Sequence, residues 1–195
     1  PRPHRDHGTA TLLPEAVAAM RDGTPPRRPP GARAVAQILP VLASQPRDLG
    51  AVRDATEGGR EIGGARRGVR IPSEPAGWLR DGEHLPGLPD WKLLATPGHS
   101  DDSTALYHPP TRTLLSGDAV LPVEGRAWFT PEVVDRRAAV ATESRLRELD
   151  VEHLLPGHGL AVSGPRLMED ALSSAERPQR ASKLGATWRI VRDHA

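Results

Sequence analysis

The sequence predicts one domain of mixed α/β (α+β) class, and three observations carry that expectation. Short apolar runs separated by turns crowd between residues 91 and 118 and read as strands. Apolar residues recur at helical spacing near the start of the chain and again after residue 130. At 195 residues the chain has an ordinary length for one domain, enough to bury roughly two-thirds of the surface that its unfolded form exposes.

The first element is a helix from Thr11, TLLPEAVAAMRDG. Pro14 fits its first turn, Leu13, Val17 and Met20 share a face, and Gly23 stops it. Residues 24–33, TPPRRPPGAR, cannot continue a helix, because prolines remove donors and clash with the preceding turn. A second helix is expected from Ala34 to Ala43. From Ser44 to Pro75 the pattern is irregular, with one short helix near Leu49 to Thr56. Then come the strands WKLLAT (91–96), STALYH (103–108) and RTLLSGD (112–118), read as successive strands of one sheet, with PGHSDD and Pro109-Pro110 as punctuation. Thr130 is expected to cap a helix that has Pro131 at its first position and Ala138, Ala141, Leu146 and Leu149 along one face, down to Asp150. Val151 to Leu155 reads as a short buried strand, and a last helix is expected from Pro165 to about Glu176.

Composition narrows the function. With 26 basic and 25 acidic residues the net charge is +1, so no global field draws the chain to nucleic acid or anionic lipid, and a small-molecule substrate is the expected partner. There is no cysteine, which excludes disulfides, a thiolate nucleophile and Cys-ligated zinc, and leaves His, Asp and Glu as the strong metal ligands. No run of roughly 20 apolar residues is present, and a cytoplasmic location is the expectation. Arg27, Arg28, Arg66, Arg67 and Arg70 lack neighbouring aromatics on which bases could stack, and read as solvated loop charges.

Four short motifs place His or Asp at turns rich in Gly or Pro, where side chains from several strands can converge. They are His4-Arg5-Asp6-His7-Gly8, Pro97-Gly98-His99-Ser100, Ser116-Gly117-Asp118 and Pro156-Gly157-His158-Gly159. Imidazole and carboxylate suit Zn²⁺ or Fe²⁺, and an open coordination position lets such a metal lower the pKa of bound water to about 7. Each motif alone is weak, since a lone His-x-Asp-His is more often solvated loop. Their order is specific.

That order resembles the ligand pattern of the metallo-β-lactamase superfamily, over residues 2–8 and about 78–160, with DGEHLPGLPDWKLLATPGHSDDSTALYHPPTRTLLSGDAVL (81–121) similar to its central block. The resemblance implies an αββα sandwich with a metal site at one edge of two sheets. It implies His4 and His99 on a first metal, Asp6, His7 and His158 on a second, and Asp118 bridging. Asp6 would help to orient the attacking water. Arg2 stands where the motif opens with His and has no lone pair to offer, so the first metal keeps only His4 and His99. Asp102 replaces a common Gly and reads as a turn carboxylate facing water.

The implied cofactor is Zn, as one or two ions, with Fe or Mn as other occupants. The implied activity is hydrolysis of a small ester-like bond, a thioester or lactone, by metal-bound hydroxide, closest to hydroxyacylglutathione hydrolase-like members. The alternative is a degenerate, single-metal or non-catalytic member that binds without turnover. Organisation is expected as one partial domain over 1–195, with an irregular and helical insert at 24–77, the core block at 78–160 and a helical tail at 161–195. Few strands precede the first motif, so the first sheet is expected to be incomplete, the chain truncated at its N-terminus, and an apolar sheet face exposed. Tyr107 is weighed as a site-lining phenol and assigned to core packing, and His84, His108, His153 and His194 to surface or packing roles.

Overall fold

The computed structural model describes residues 10–22, 27, 39–41 and 75–176. The His4-Asp6-His7 motif, Arg2, the helix near Leu49 to Thr56, Arg28, Arg66, Arg67, Arg70 and His194 lie outside the described residues. Of the expected helix over 34–43, Leu39–Val41 are described and are helical.

The first segment departs from the helix expected at Thr11. Leu12–Pro14 forms strand β1, and a 3-10 helix follows over Glu15–Asp22. Proline drives the residue before it out of the helical region, so Leu13 is extended and the helical turn starts only after Pro14. β1 pairs in parallel with β2 (Gly77–Leu79), Leu13 opposite Trp78.

The core block builds a six-stranded sheet from β3 (His84–Leu85), β4 (Leu88–Ala95), β5 (Thr104–His108), β6 (Thr113–Gly117), β9 (His153–Pro156) and β10 (Val162–Ser163), in the order β10-β9-β6-β5-β4-β3. The three expected strands are its β4, β5 and β6, joined antiparallel in sequence order, and β9 joins β6 in parallel. The period of two sorts their side chains. Ala105, Tyr107, Leu114 and Leu154 enter the main core, where they meet Leu146 from helix α1 (Arg136–Arg147). Tyr107 donates its hydroxyl to the Asp150 carbonyl at 2.8 Å, so it is a packing residue as expected. On the opposite face Leu93, Leu106, Leu115 and Leu155 lie in register across four strands. Leu93 is buried, Leu106 and Leu115 are half-buried, and Leu155 is 42% exposed.

Two further strands, β7 (Val120–Val123) and β8 (Arg126–Phe129), form a hairpin that supplies Val120, Ala127 and Phe129 to the same core. Its two-residue turn holds Glu124 and Gly125 at φ values of 50° and 76°, the left-handed pair that matches the twist of a tight hairpin.

Helix α1 begins later than its sequence predicts. Thr130 follows β8 and does not cap a helix; the cap is Asp135, whose Oδ1 accepts the Ala138 N–H at 2.9 Å. The intervening residues are held elsewhere, because Val134 and Asp135 both donate to the Gly98 carbonyl, at 2.8 and 3.2 Å. The helix expected from Pro165 is also absent among the described residues, where 165–170 form turns and Leu172 a β-bridge to Trp128. One bond closes a turn, from Asp170 N to the Arg166 carbonyl at 2.9 Å, and others go outward. Leu172 N donates to the Ala127 carbonyl, Phe129 N to the Leu172 carbonyl, and the Arg147 guanidinium takes the carbonyls of Met168, Glu169 and Ala171 at 2.9 to 3.2 Å. An amide spent on a neighbouring strand cannot also close a helical turn.

Asp81 ties three elements together. Its Oδ1 accepts the Ala95 N–H at 2.7 Å and Arg145 Nη2 at 2.6 Å, and its Oδ2 accepts Arg145 Nη1 at 2.9 Å. This joins the turn after β2, the end of β4 and α1. Burial pushes the Asp81 carboxyl up, but the Arg145 bonds and charge with the Ala95 N–H outweigh it and leave the group below the usual carboxylate range. A carboxyl depressed in the folded state stabilises above its unfolded pKa, about 3.9, and loses that contribution as pH falls through the lower folded value. Asp81→Asn is therefore expected to destabilise by about 1 kcal/mol at neutral pH, a modest figure because both partners are partly exposed. Urea unfolding of both proteins should show the difference shrinking below about pH 4; a difference that is constant with pH would contradict the ion-pair account.

Candidate metal centre

The direction of the strands decides which motifs meet. β4 and β6 are each antiparallel to β5, and β9 is parallel to β6, so β4, β6 and β9 all run the same way. Their C-terminal ends lie along one edge of the sheet. His99 follows β4, Asp118 follows β6 and His158 follows β9, so three of the four motifs converge there.

Asp118 stands between the two imidazoles. Its Oδ1 accepts from His158 Nδ1 at 2.6 Å, and its Oδ2 lies 3.6 Å from His99 Nε2. Burial raises the Asp118 carboxyl, but the His158 hydrogen bond and the two imidazoles carry it below the ordinary carboxylate range. The same hydrogen bond raises His158, against the opposing effect of its burial. His99 presents Nδ1 to the Glu132 carbonyl at 2.9 Å. A carbonyl only accepts, so His99 carries its proton on Nδ1 and turns the Nε2 lone pair towards Asp118.

Glycines make room for this arrangement. A Cβ on Gly157 would sit 2.8 Å from Asp118 Oδ1 and 3.1 Å from the Gly117 carbonyl carbon, so any side chain there would push the carboxylate aside. Gly157 N also donates to the Gly117 carbonyl at 2.8 Å, which holds the turns carrying Asp118 and His158 together. In the His99 loop, Ser100 Oγ donates to Asp102 Oδ1 at 2.7 Å. Asp102 is thus a turn carboxylate engaged with its own loop, only partly exposed. Arg27, expected as a solvated charge, pairs with Asp101 of the same loop at 2.9 Å and with Asp135 at 3.3 Å.

Glu132 is the residue that sequence reasoning missed. As part of Thr-Pro-Glu it looks like an ordinary acid in a first helical turn, yet it is buried beside His99, with Oε2 4.0 Å from Nδ1. Burial pushes its carboxyl up, partly opposed by the neighbouring His99 imidazole. Among the described residues the other histidines are engaged locally: His84 with the Pro89 carbonyl, His108 with Thr111 and the Trp91 ring, and His153 with Ser163.

Among the described residues no group of three or more His, Asp or Glu side chains is gathered tightly enough to hold a metal by itself. The donor chemistry nevertheless fits one. Both Nδ1 atoms are engaged with acceptors, which leaves Nε2 of each neutral imidazole as the coordinating nitrogen, and the Asp118 carboxylate lies at the Nε2 edge of His99 and the Nδ1 edge of His158. His4, Asp6 and His7 remain the sequence candidates to complete the shell.

Comparison with known proteins bears on the same residues. The family model for the metallo-beta-lactamase superfamily matches residues 8–158, a range that takes in His99, Asp118 and His158. Probable metallo-hydrolase YflN of Bacillus subtilis (strain 168) is 31% identical over 128 residues, covering 57% of this chain and 47% of that protein. Probable metallo-hydrolase YqjP of the same organism is 30% identical over 96 residues, 44% of this chain and 29% of that protein. A metallo-beta-lactamase family protein from Thermus thermophilus is similar in structure, with 23% identity, a TM-score of 0.48, and coverage of 83% of this chain and 51% of the other. The matched part of the chain thus spans about half or less of the length of the curated relatives.

Proposed function

We propose that this chain, which belongs to the metallo-beta-lactamase superfamily, is a metal-dependent hydrolase of small ester-like substrates, a thioester or lactone. The observation that carries the reading is the convergence of His99 and His158 on Asp118 at the C-terminal ends of three strands that run the same way. A divalent cation bound there would polarise a carbonyl and supply an acidified water at neutral pH. His99 would hold it through Nε2 and Asp118 through its carboxylate, its charge offsetting that of the cation, while His158, which turns Nδ1 to Asp118, would offer Nε2 to a second ion on the far side of its ring. Asp6 is assigned the orientation of the attacking water, with His4 and His7 as further ligands. Zinc is the first candidate, with iron or manganese as alternatives. A small-molecule substrate agrees with the net charge of +1, and no helix among the described residues is long and apolar enough to cross a membrane.

The test is metal content and turnover of the purified full chain. The expected result is about one or more equivalents of Zn, Fe or Mn, with hydrolysis of some thioester or lactone in a panel that is abolished by a chelator and restored by metal. Metal bound without turnover would instead identify a non-catalytic binding member, and loading well below one equivalent would remove the metal-centre reading altogether.

A further inference from the structure

We propose that Glu132 is the positioning residue that makes His99 a metal ligand, acting from behind the imidazole through both its carbonyl and its buried carboxylate; the inference rests on the metal-centre reading above.

The folding account of this side chain is incomplete without such a role. The Glu132 side chain is only 8% exposed, and its Oε1 is buried with no hydrogen-bond partner. A buried carboxylate oxygen that lacks a partner destabilises a fold, and an apolar residue of similar volume commonly fits such a position better. What the carboxylate does face is His99, with Oε2 4.0 Å from Nδ1, while the carbonyl of the same residue holds Nδ1 at 2.9 Å.

The edge of the ring decides between two roles. Asp118 lies at the Nε2 edge and Glu132 at the Nδ1 edge, so an ion held by His99 and Asp118 has the imidazole between itself and Glu132. Glu132 is therefore placed as an outer partner and not as a ligand. In that position a carbonyl fixes the tautomer and the ring angle, and a negative charge raises the basicity of the opposite nitrogen. The placement is firmly built. Glu132 N donates to Thr130 Oγ1, Thr130 N donates to the Ala119 carbonyl, and Val134 and Asp135 donate to the Gly98 carbonyl, one residue before His99. The segment that carries Glu132 is thus docked onto both the His99 loop and the Asp118 turn.

Glu132→Gln in the full chain keeps the carbonyl and the side-chain volume while removing the charge. Three measurements are compared with the wild type: unfolding of the metal-free protein, Zn²⁺ affinity by competition with a chromophoric chelator, and the visible absorption of the Co²⁺-loaded protein. The expected result is metal-free stability that is equal or higher, Zn²⁺ affinity lower by about 10- to 100-fold, and displaced Co²⁺ bands. Unchanged affinity and bands overturn the proposal while leaving the metal centre intact. A wild type that takes up no Zn²⁺ or Co²⁺ overturns the metal-centre reading itself. Should Gln fail to fold, Glu132→Met removes the buried polar group and is held to the same expectation. Nitrogen chemical shifts of His99 in the wild type provide an independent check: a proton on Nδ1 is required, and one on Nε2 overturns the proposal.

Discussion

Asp118→Asn is expected to leave the protein folded while lowering metal affinity by at least about 100-fold and reducing hydrolysis to background. The substitution is nearly isosteric, and its effect follows from what each neighbour needs. His158 donates from Nδ1 to Oδ1 at 2.6 Å, so the amide oxygen of Asn must face His158. The amide nitrogen then faces His99 Nε2, the atom now 3.6 Å from Oδ2, and offers it a donor. The Nε2 lone pair that a cation needs is occupied, and the one anionic group between the two imidazoles is gone. Both imidazoles stay hydrogen-bonded, so a change in unfolding free energy within about 1 kcal/mol is expected. Chelator competition and initial rates on the best substrate measure the two losses. Wild-type affinity in the Asn variant would show that Asp118 is not a ligand and would move the centre away from this sheet edge.

The centre is partly legible in the sequence alone, for a reason that can be stated. The candidate ligands sit at strand ends, in short loops where Gly and Pro cluster, so Pro-Gly-His, Ser-Gly-Asp and Pro-Gly-His can be read directly. The structure adds the reason they meet, the shared direction of β4, β6 and β9, which no spacing in the sequence encodes. Glu132 was not legible, because Thr-Pro-Glu is an ordinary way to begin a helix and nothing local says that α1 waits for Asp135. The cap moved because Gly98, distant in sequence, takes the amides of Val134 and Asp135.

The same division holds for the fold. β4, β5 and β6 were legible because their ends are marked by turns and their interiors are apolar. The β7-β8 hairpin was hidden. Its first strand is buried at all four positions, so it shows no alternation, it contains Pro122, and its turn is Glu-Gly rather than the stronger Asn-Gly or Asp-Gly signal. The expected helix after Pro165 failed for a tertiary reason, since its backbone joins β8, where the Leu172 amide is donated to the Ala127 carbonyl.

Gly98→Ala is expected to be among the most damaging single substitutions that leave every ligand in place. Gly98 adopts φ +139°, and an added Cβ would lie 2.6 Å from Ala139 Cα and 2.8 Å from Ala139 N, backbone atoms in the first turn of α1. No rotamer relieves a clash between Cβ and helix backbone, so either the His99 loop or the helix must move. Moving the loop breaks the bonds from Val134 and Asp135 to the Gly98 carbonyl and displaces His99, the next residue, from Asp118. Overpacking of about 1 to 3 kcal/mol adds to a backbone strain of similar size, giving roughly 2 to 5 kcal/mol of destabilisation. Gly82→Ala supplies the control. Gly82 also has positive φ, +80°, but nothing lies within 4 Å of its Cβ position, so only the strain of about 1 kcal/mol is expected. Urea unfolding of the two variants separates the terms, and Zn²⁺ affinity should fall in Gly98→Ala alone. Equal destabilisation in both would mean that the His99 loop does not press on α1 and that the helix does not set the position of His99.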